Sequence, residues 1–256
     1  GHVAAVLVTE GQIAPEGDPV VEIDNTSGAS TCASAAAWQD AQVTEFRHEI
    51  PMRWADLDTL NHVNNVVYLR YAADARAAIA DLPAGPIGQM TVQFKRPILL
   101  SRTPVVVTSQ VDGFEVAQSI GVSGTGHEFA TVTSDLGGFL EQVEPHVGGH
   151  REEFWLRRTD LDESGEVSPA QVFELFQETR IPFLNDVLVR LSAGGFVVAQ
   201  IQISYYRSIG WQAEPLTAVS WLSRLGNSSF VVESQLLSGD QVLASSHAVL
   251  VGFDAS

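Results

Sequence analysis

Cysteine and lysine are nearly missing from this chain. Cys32 is the one cysteine among 256 residues, and Lys95 the one lysine. A single cysteine excludes an internal disulfide framework and any cysteine-rich zinc site, and it fits a reducing, cytoplasmic compartment. Basic residues are scarce altogether: 14 Lys and Arg stand against 31 Asp and Glu, a net charge of −17. Such a chain has no footprint for nucleic acid or for an anionic membrane surface. No apolar run is long enough to suggest a membrane span, which takes roughly 18 residues or more. Val3–Val8 is apolar but short, has no basic residues ahead of it, and reads as a strand rather than a signal peptide. What remains is globular, 45% hydrophobic and 18% charged, with room for one large domain or two small ones.

The chain repeats itself. At an offset of 104 residues, Arg53-Trp-Ala-Asp-Leu-Asp58 falls on Arg157-Arg-Thr-Asp-Leu-Asp162, Val63 on Val167, Asp74 on Glu178 and Arg76 on Arg180. Each copy opens with an extended segment (45–53 and 152–157) and a polar loop. A helix follows, over about 65–80 in the first copy and about 169–181 in the second. Ser168-Pro169 is an N-cap followed by proline at the first helical position, and Asn64 is the matching cap. Val172, Phe173, Leu175, Phe176 and Thr179 recur with a broad helical stripe. Strand-like runs come next: 91–94, 104–108, 115–122 and 129–133, then 196–206, 216–223, 230–237 and 242–251. Turn residues punctuate them at Asp112-Gly113, Gly124-Thr-Gly126, Gly226-Asn227 and Ser238-Gly-Asp240. The pattern predicts an α+β protein in two units, 45–138 and 151–256, each with a long central helix wrapped by about five antiparallel strands. Residues 139–150 read as a linker, and 1–44 as an N-terminal extension matching neither copy. The repeated Asp74/Arg76 and Glu178/Arg180 are expected to form a structural pair within each half.

The informative stretch is Asp56-Leu-Asp58, then His62-Val-Asn-Asn65, then a helix with Tyr68 and Asp74-Ala-Arg76. This string resembles the hotdog-fold thioesterases, specifically the 4-hydroxybenzoyl-CoA thioesterase-like and acyl-carrier-protein thioesterase branch. The resemblance covers 45–135, and extends over 150–254 by repeat and strand order. It implies a tandem double hotdog, two halves forming the pseudo-dimer that single-domain relatives make from two chains. It also implies hydrolysis of a fatty-acyl or aryl thioester, with Asp58 as general base or nucleophile and His62 and Asn65 orienting the carbonyl or the water. The protein is then a monomer of that kind or a homo-oligomer of it.

The residues support that chemistry on their own terms. Thioester hydrolysis needs a carboxylate to activate water or attack, and donors for the developing oxyanion. A carboxylate just before a helix supplies the first, and the free N–H groups of the first turn, near Asn65 and Val66, supply the second. Asp56 is expected to hold the loop, and Asn64 to cap the helix or touch ligand. The second copy keeps Asp160 and Asp162 but loses the His and both Asn, and Pro169 removes a backbone donor, so one active site per chain is expected. Gln171, Glu174 and Glu178 of the second helix are candidates to face it, or form an ordinary solvated helix face. Lys95, Arg96, Arg102 and Arg207 either meet the phosphates of a CoA ligand or are plain surface bases. Trp54, Tyr68, Phe94 and Tyr71 either line an acyl cleft or belong to the core. No Gly-x-Ser-x-Gly elbow, P-loop or dinucleotide fingerprint is present. His127, His146, His150 and His247 show no metal-ligand spacing, so neither a metal nor a cofactor beyond the CoA of the substrate is expected. An acyl-carrier-protein thioesterase and a non-catalytic acyl-CoA-binding protein are the alternatives.

Overall fold

The computed structural model describes residues 44–191 and 195–253. The predicted strand at 3–8 and nearly all of the extension before residue 45 lie outside them. Ten strands and two helices follow in two matching series. The first is β1 (Thr44–Ile50), α1 (Asn65–Ala77), β2 (Gln89–Phe94), β3 (Val105–Asp112), β4 (Glu115–Val122) and β5 (Glu128–Asp135). The second is β6 (His150–Phe154), α2 (Pro169–Leu191), β7 (Gly195–Tyr205), β8 (Leu216–Leu225), β9 (Ser229–Ser238) and β10 (Gln241–Phe253). Period-two burial drives the strands. In β3 the buried positions are Val105, Val107 and Ser109, and in β4 they are Val116, Gln118 and Ile120, so one face of the sheet meets the helix and the other does not.

All ten strands join one antiparallel sheet in the order β1-β3-β4-β5-β2-β7-β10-β9-β8-β6. Each half has the same internal order, and the halves meet edge to edge where β2 pairs with β7. Ile98 and Ile209 play the same part in each half, each accepting the N–H of the valine that follows the polar loop. That fixes the offset in this region at 111 residues. Thr91 and Gln202, separated by that offset, are opposite each other in the β2·β7 register. The halves are therefore related by a two-fold axis through that pair. Gln93 donates to Gln200 across the seam at 3.1 Å, and Gln89 to Ser204 at 3.3 Å.

Helix α1 starts on Asn64, whose side chain accepts the Val66 N–H at 3.1 Å. It ends at Ala77, three residues short of the expected end. Helix α2 runs ten residues past the expected end and passes through Pro182. Proline in a helix costs about 3 kcal/mol. Burial of Phe183 and Leu184 just beyond it is worth about 1.5–3 kcal/mol each, which is enough to carry the helix on.

The expected Asp74–Arg76 pair is not formed. Residues two apart point to opposite sides of a helix. Arg76 turns into the core and donates to Gln118 at 2.9 Å and Ser134 at 3.4 Å, while Asp74 stays exposed. Burial lowers the Arg76 guanidinium to about 10, and that of its buried counterpart Arg180 to about 9.

The segment read as a linker crosses the outer face of the second half. Leu140 N–H bonds Tyr205, Gln142 bonds Val242 and Arg207, and Gln235 bonds both Glu144 and the His146 N–H. His146 stacks flat on Trp221, with ring centroids 3.7 Å apart. This strap covers a second small apolar cluster on that face, Val219, Leu237 and Val242. No helix among the described residues is long and apolar enough to cross a membrane.

Candidate active site

The Asp56–Asn64 loop is held at both ends. Asp56 Oδ2 accepts the Arg53 N–H and the Tyr71 hydroxyl, each at 2.7 Å. Asp56 thus has the loop-holding part expected of it, through a tyrosine that the sequence did not link to it. Asp58 folds the loop back on itself. Its N–H donates to the His62 carbonyl at 2.8 Å, and its Oδ1 accepts the N–H groups of Leu60 (2.8 Å) and His62 (3.0 Å). Asn61 takes a left-handed conformation at the tip, with φ 61°. The Val63 N–H then bonds the Ile98 carbonyl at 2.8 Å, and His62 bridges to Leu99. Tyr68 fastens the same segment from below, its hydroxyl accepting the buried Ile98 N–H at 3.0 Å. Burial pushes the Tyr68 phenol well above its usual value, and the negative charge of Asp58 adds to the shift.

This arrangement leaves specific groups unspent. Asp58 Oδ2 and Asn65 Oδ1 are both buried without a hydrogen-bond partner. Among the N–H groups at the start of α1, Val66 is taken by Asn64 Oδ1 and Val67 by the Asn64 carbonyl. The Asn65 N–H makes no hydrogen bond among the described residues. A free carboxylate oxygen thus lies in the loop, and a free amide oxygen and a free N–H lie at the first residue of the helix that follows it.

The second copy keeps the backbone and the carboxylate but loses the amide oxygen and the helix-start N–H. Asp162 N–H bonds Glu166 at 2.8 Å, the Val167 N–H bonds Ile209 at 2.7 Å, and Gly165 holds the left-handed position of Asn61. Asp162 Oδ1, however, accepts the Ser164 hydroxyl and backbone N–H. The Ser164 hydroxyl above all keeps that carboxyl below its ordinary value. Pro169 occupies the place of Asn65 and has no N–H. Two copies of one loop fold therefore differ in what they offer a substrate.

The other predicted residues are placed as follows. Glu174 is ion-paired with Arg70 at 3.1 Å. Lys95 pairs with Glu128. Arg96 and Arg102 are exposed and flank the Ile98–Leu99 segment that holds the loop. Tyr68 packs edge-on against Phe94, whereas Trp54 is 76% exposed. Leu60, Leu99 and Leu100 are exposed apolar side chains on or beside the loop. A cavity of ≈ 400 Å³ opens at the start of α2, between Ser168–Gln171 and the α1 residues Val67, Arg70, Ala73 and Asp74. Sequence reading missed this cavity, whose Ser168–Gln171 wall is the repeat counterpart of Asn64–Val67 and whose other side includes Arg53, Ala55 and Asp56.

Comparison with known proteins bears out the family resemblance. Residues 21–135 match the family model of the acyl-ACP thioesterase C-terminal domain, and residues 156–256 match that of the thioesterase-like superfamily. The chain belongs to the hotdog thioesterases. The hydrolase, as a member of these families, cleaves thioesters. Solved structures share its fold. A protein described as an oleoyl thioesterase, from Lactobacillus plantarum, superposes with a TM-score of 0.63 at 9% identity, covering 83% of this chain and 97% of its own. The 12:0-ACP thioesterase from Umbellularia californica gives 0.60 at 12% identity, covering 82% and 94%. An acyl-ACP thioesterase from Bacteroides thetaiotaomicron gives 0.53 at 9% identity, covering 80% and 97%. No curated protein matches the hydrolase in sequence.

Proposed function

We propose that the protein hydrolyses acyl-CoA thioesters to free acid and CoA, at one site per chain, in the cytoplasm and without a cofactor of its own. Residues 45–138 and 151–256 are two hotdog units joined by 139–150, a pseudo-dimer within one chain. The observation that carries the reading is the pair of buried acceptors, Asp58 Oδ2 and Asn65 Oδ1, beside the unbonded Asn65 N–H. A thioester carbonyl brings only an acceptor. A water brings two O–H donors and suits both oxygens at once, with a lone pair left for the carbonyl carbon. Asp58 takes the water proton as the C–O bond forms, and the Asn65 N–H supports the oxyanion. His62 orients the carbonyl. Collapse breaks the C–S bond, and the proton held by Asp58 passes to the departing thiolate. This favours Asp58 as base over Asp58 as nucleophile, since direct attack would leave Asn65 Oδ1 without a donor.

Arg96 and Arg102, exposed beside the loop, suit the phosphates of CoA, and Leu60, Leu99 and Leu100 suit an apolar acyl group. A second reading, hydrolysis of acyl-carrier-protein thioesters, is favoured by the family model that matches the first half. A net charge of −17 opposes docking of an acidic carrier protein.

The test is thiol release from short, medium, long and aryl acyl-CoAs and from the matching carrier-protein esters, for wild type and Asp58→Asn. Loss of at least about a hundredfold in the variant is expected on removal of a general base. Wild-type turnover of carrier-protein esters alone would replace CoA with the carrier. Tight binding of a CoA ester without turnover would make the protein a binder.

A further inference from the structure

We propose that Gln177, on α2 of the second half, completes the Asp58 site and accepts a hydrogen bond from the amide N–H nearest the sulfur of the thiol moiety. The inference rests on the hydrolase reading above. The two-fold relation between the halves is fixed by the equal strand orders, by Thr91 facing Gln202 and by Arg70 facing Glu174. On one side of that axis, Ala73 of α1 lines the cavity at the start of α2, together with Ser168, Pro169, Ala170 and Gln171. The offset of 104 carries Ala73 to Gln177 and Ser168–Gln171 to Asn64–Val67. Gln177 therefore stands against the start of α1, where the catalytic groups are.

Its chemistry fits that place. Gln177 is 9% exposed, and its Oε1 is buried without a partner. A buried polar oxygen in a folded protein is normally bonded, so this one calls for a donor from outside the chain. The attacking water has spent both O–H groups on Asp58 Oδ2 and Asn65 Oδ1. The thioester itself has no donor. The next N–H along the leaving group of a CoA or carrier-protein thioester is its cysteamine amide, two carbons beyond the sulfur, and Gln177 Oε1 is the acceptor left to receive it. In the cavity at the start of α2, Ala73 stands at the equivalent position and leaves the space open. Gln177 thereby makes the site selective for pantetheine thioesters over other thioesters.

The test uses the 256-residue chain and two substrates that differ in one group. One is a medium-chain thioester of N-acetylcysteamine. The other is the thioester of 2-mercaptoethyl acetate, in which oxygen replaces the N–H. Wild type should prefer the first by about tenfold in kcat/KM, the scale of one hydrogen bond, and mainly through KM. Gln177→Met, similar in volume, should abolish that preference, and Gln177→Glu, which keeps an acceptor, should retain it. Thermal melting checks that each variant folds. A wild type with no preference, or an equal loss on both substrates in Gln177→Met, would overturn the proposal. Binding of the two S-alkyl thioether analogues is measured alongside. If wild type turns over neither ester, the hydrolase reading fails, and the same affinity ratio then decides the role of Gln177.

Discussion

Arg70 and Glu174 occupy the same position in the two repeats, 104 residues apart, and meet across the seam at 3.1 Å. In a dimer of identical chains this position would face a copy of itself, with like charges opposed. Joining the halves in one chain lets the two sides carry opposite charges. The same freedom lets the two loops differ, with Asn65 at the start of one helix and Pro169 at the start of the other.

Arg70→Glu places two glutamates on the axis. The side chains are 54% and 37% exposed, so solvent screens the pair and the cost should stay below about 1 kcal/mol. Urea unfolding at low salt should show that loss, and Arg70→Glu with Glu174→Arg should recover it. Failure of the double variant to recover would mean that the pair contributes nothing of its own.

Asn65→Pro copies what the second half already carries. Asn64, the preceding residue, is extended, with ψ 142°, a conformation proline accepts, and proline suits the first helical position. The fold should survive while kcat falls by about 10²–10³, as when an oxyanion donor is lost. Asn65→Ala keeps the N–H and loses only the side-chain oxygen. If the two variants are equally impaired, the N–H is not the oxyanion donor.

Tyr68→Phe removes the acceptor of the buried Ile98 N–H. An unsatisfied buried donor costs about 1–3 kcal/mol, and the 96–99 segment that braces the loop loses its anchor. Denaturant unfolding should show that loss, with lower thioesterase activity at temperatures well below melting. Full stability in the variant would mean that another group takes up the Ile98 N–H.

Burial raises the phenols of Tyr68, Tyr71 and Tyr205 above the ordinary value of 10.0, with the Asp56 bond adding to the shift of Tyr71. A raised folded pKa means that the folded state holds its proton where the unfolded state has released it. The contribution of these groups is therefore whole below about pH 10 and declines above it as the unfolded chain ionises. Stability should fall steeply from about pH 10, and the phenolate absorbance of three of the four tyrosines should emerge together with unfolding. Their titration near pH 10 in a protein that still shows its native circular dichroism would contradict this.

The sequence by itself determined the local pieces. Asn64 and Ser168 are legible as caps because a side-chain oxygen before a helix meets a nearby N–H. The strands are legible because alternation writes their buried face into the chain. The Asp-Leu-Asp repeat gave away two copies, and the fate of Asn65 against Pro169 was visible as one residue with an N–H and one without. Tertiary structure decided everything that depends on which surfaces meet. Helix α2 runs through Pro182 because Phe183 and Leu184 find a core, which a propensity cannot foresee. Arg76 bonds Gln118 and Ser134 rather than Asp74, because distant strands bring those groups to its side of the helix. The opposition of Arg70 to Glu174 follows from β2 pairing with β7. That pairing is a contact between residues more than 100 apart in the chain, settled by the burial of two sheet edges at once, and no local pattern records it.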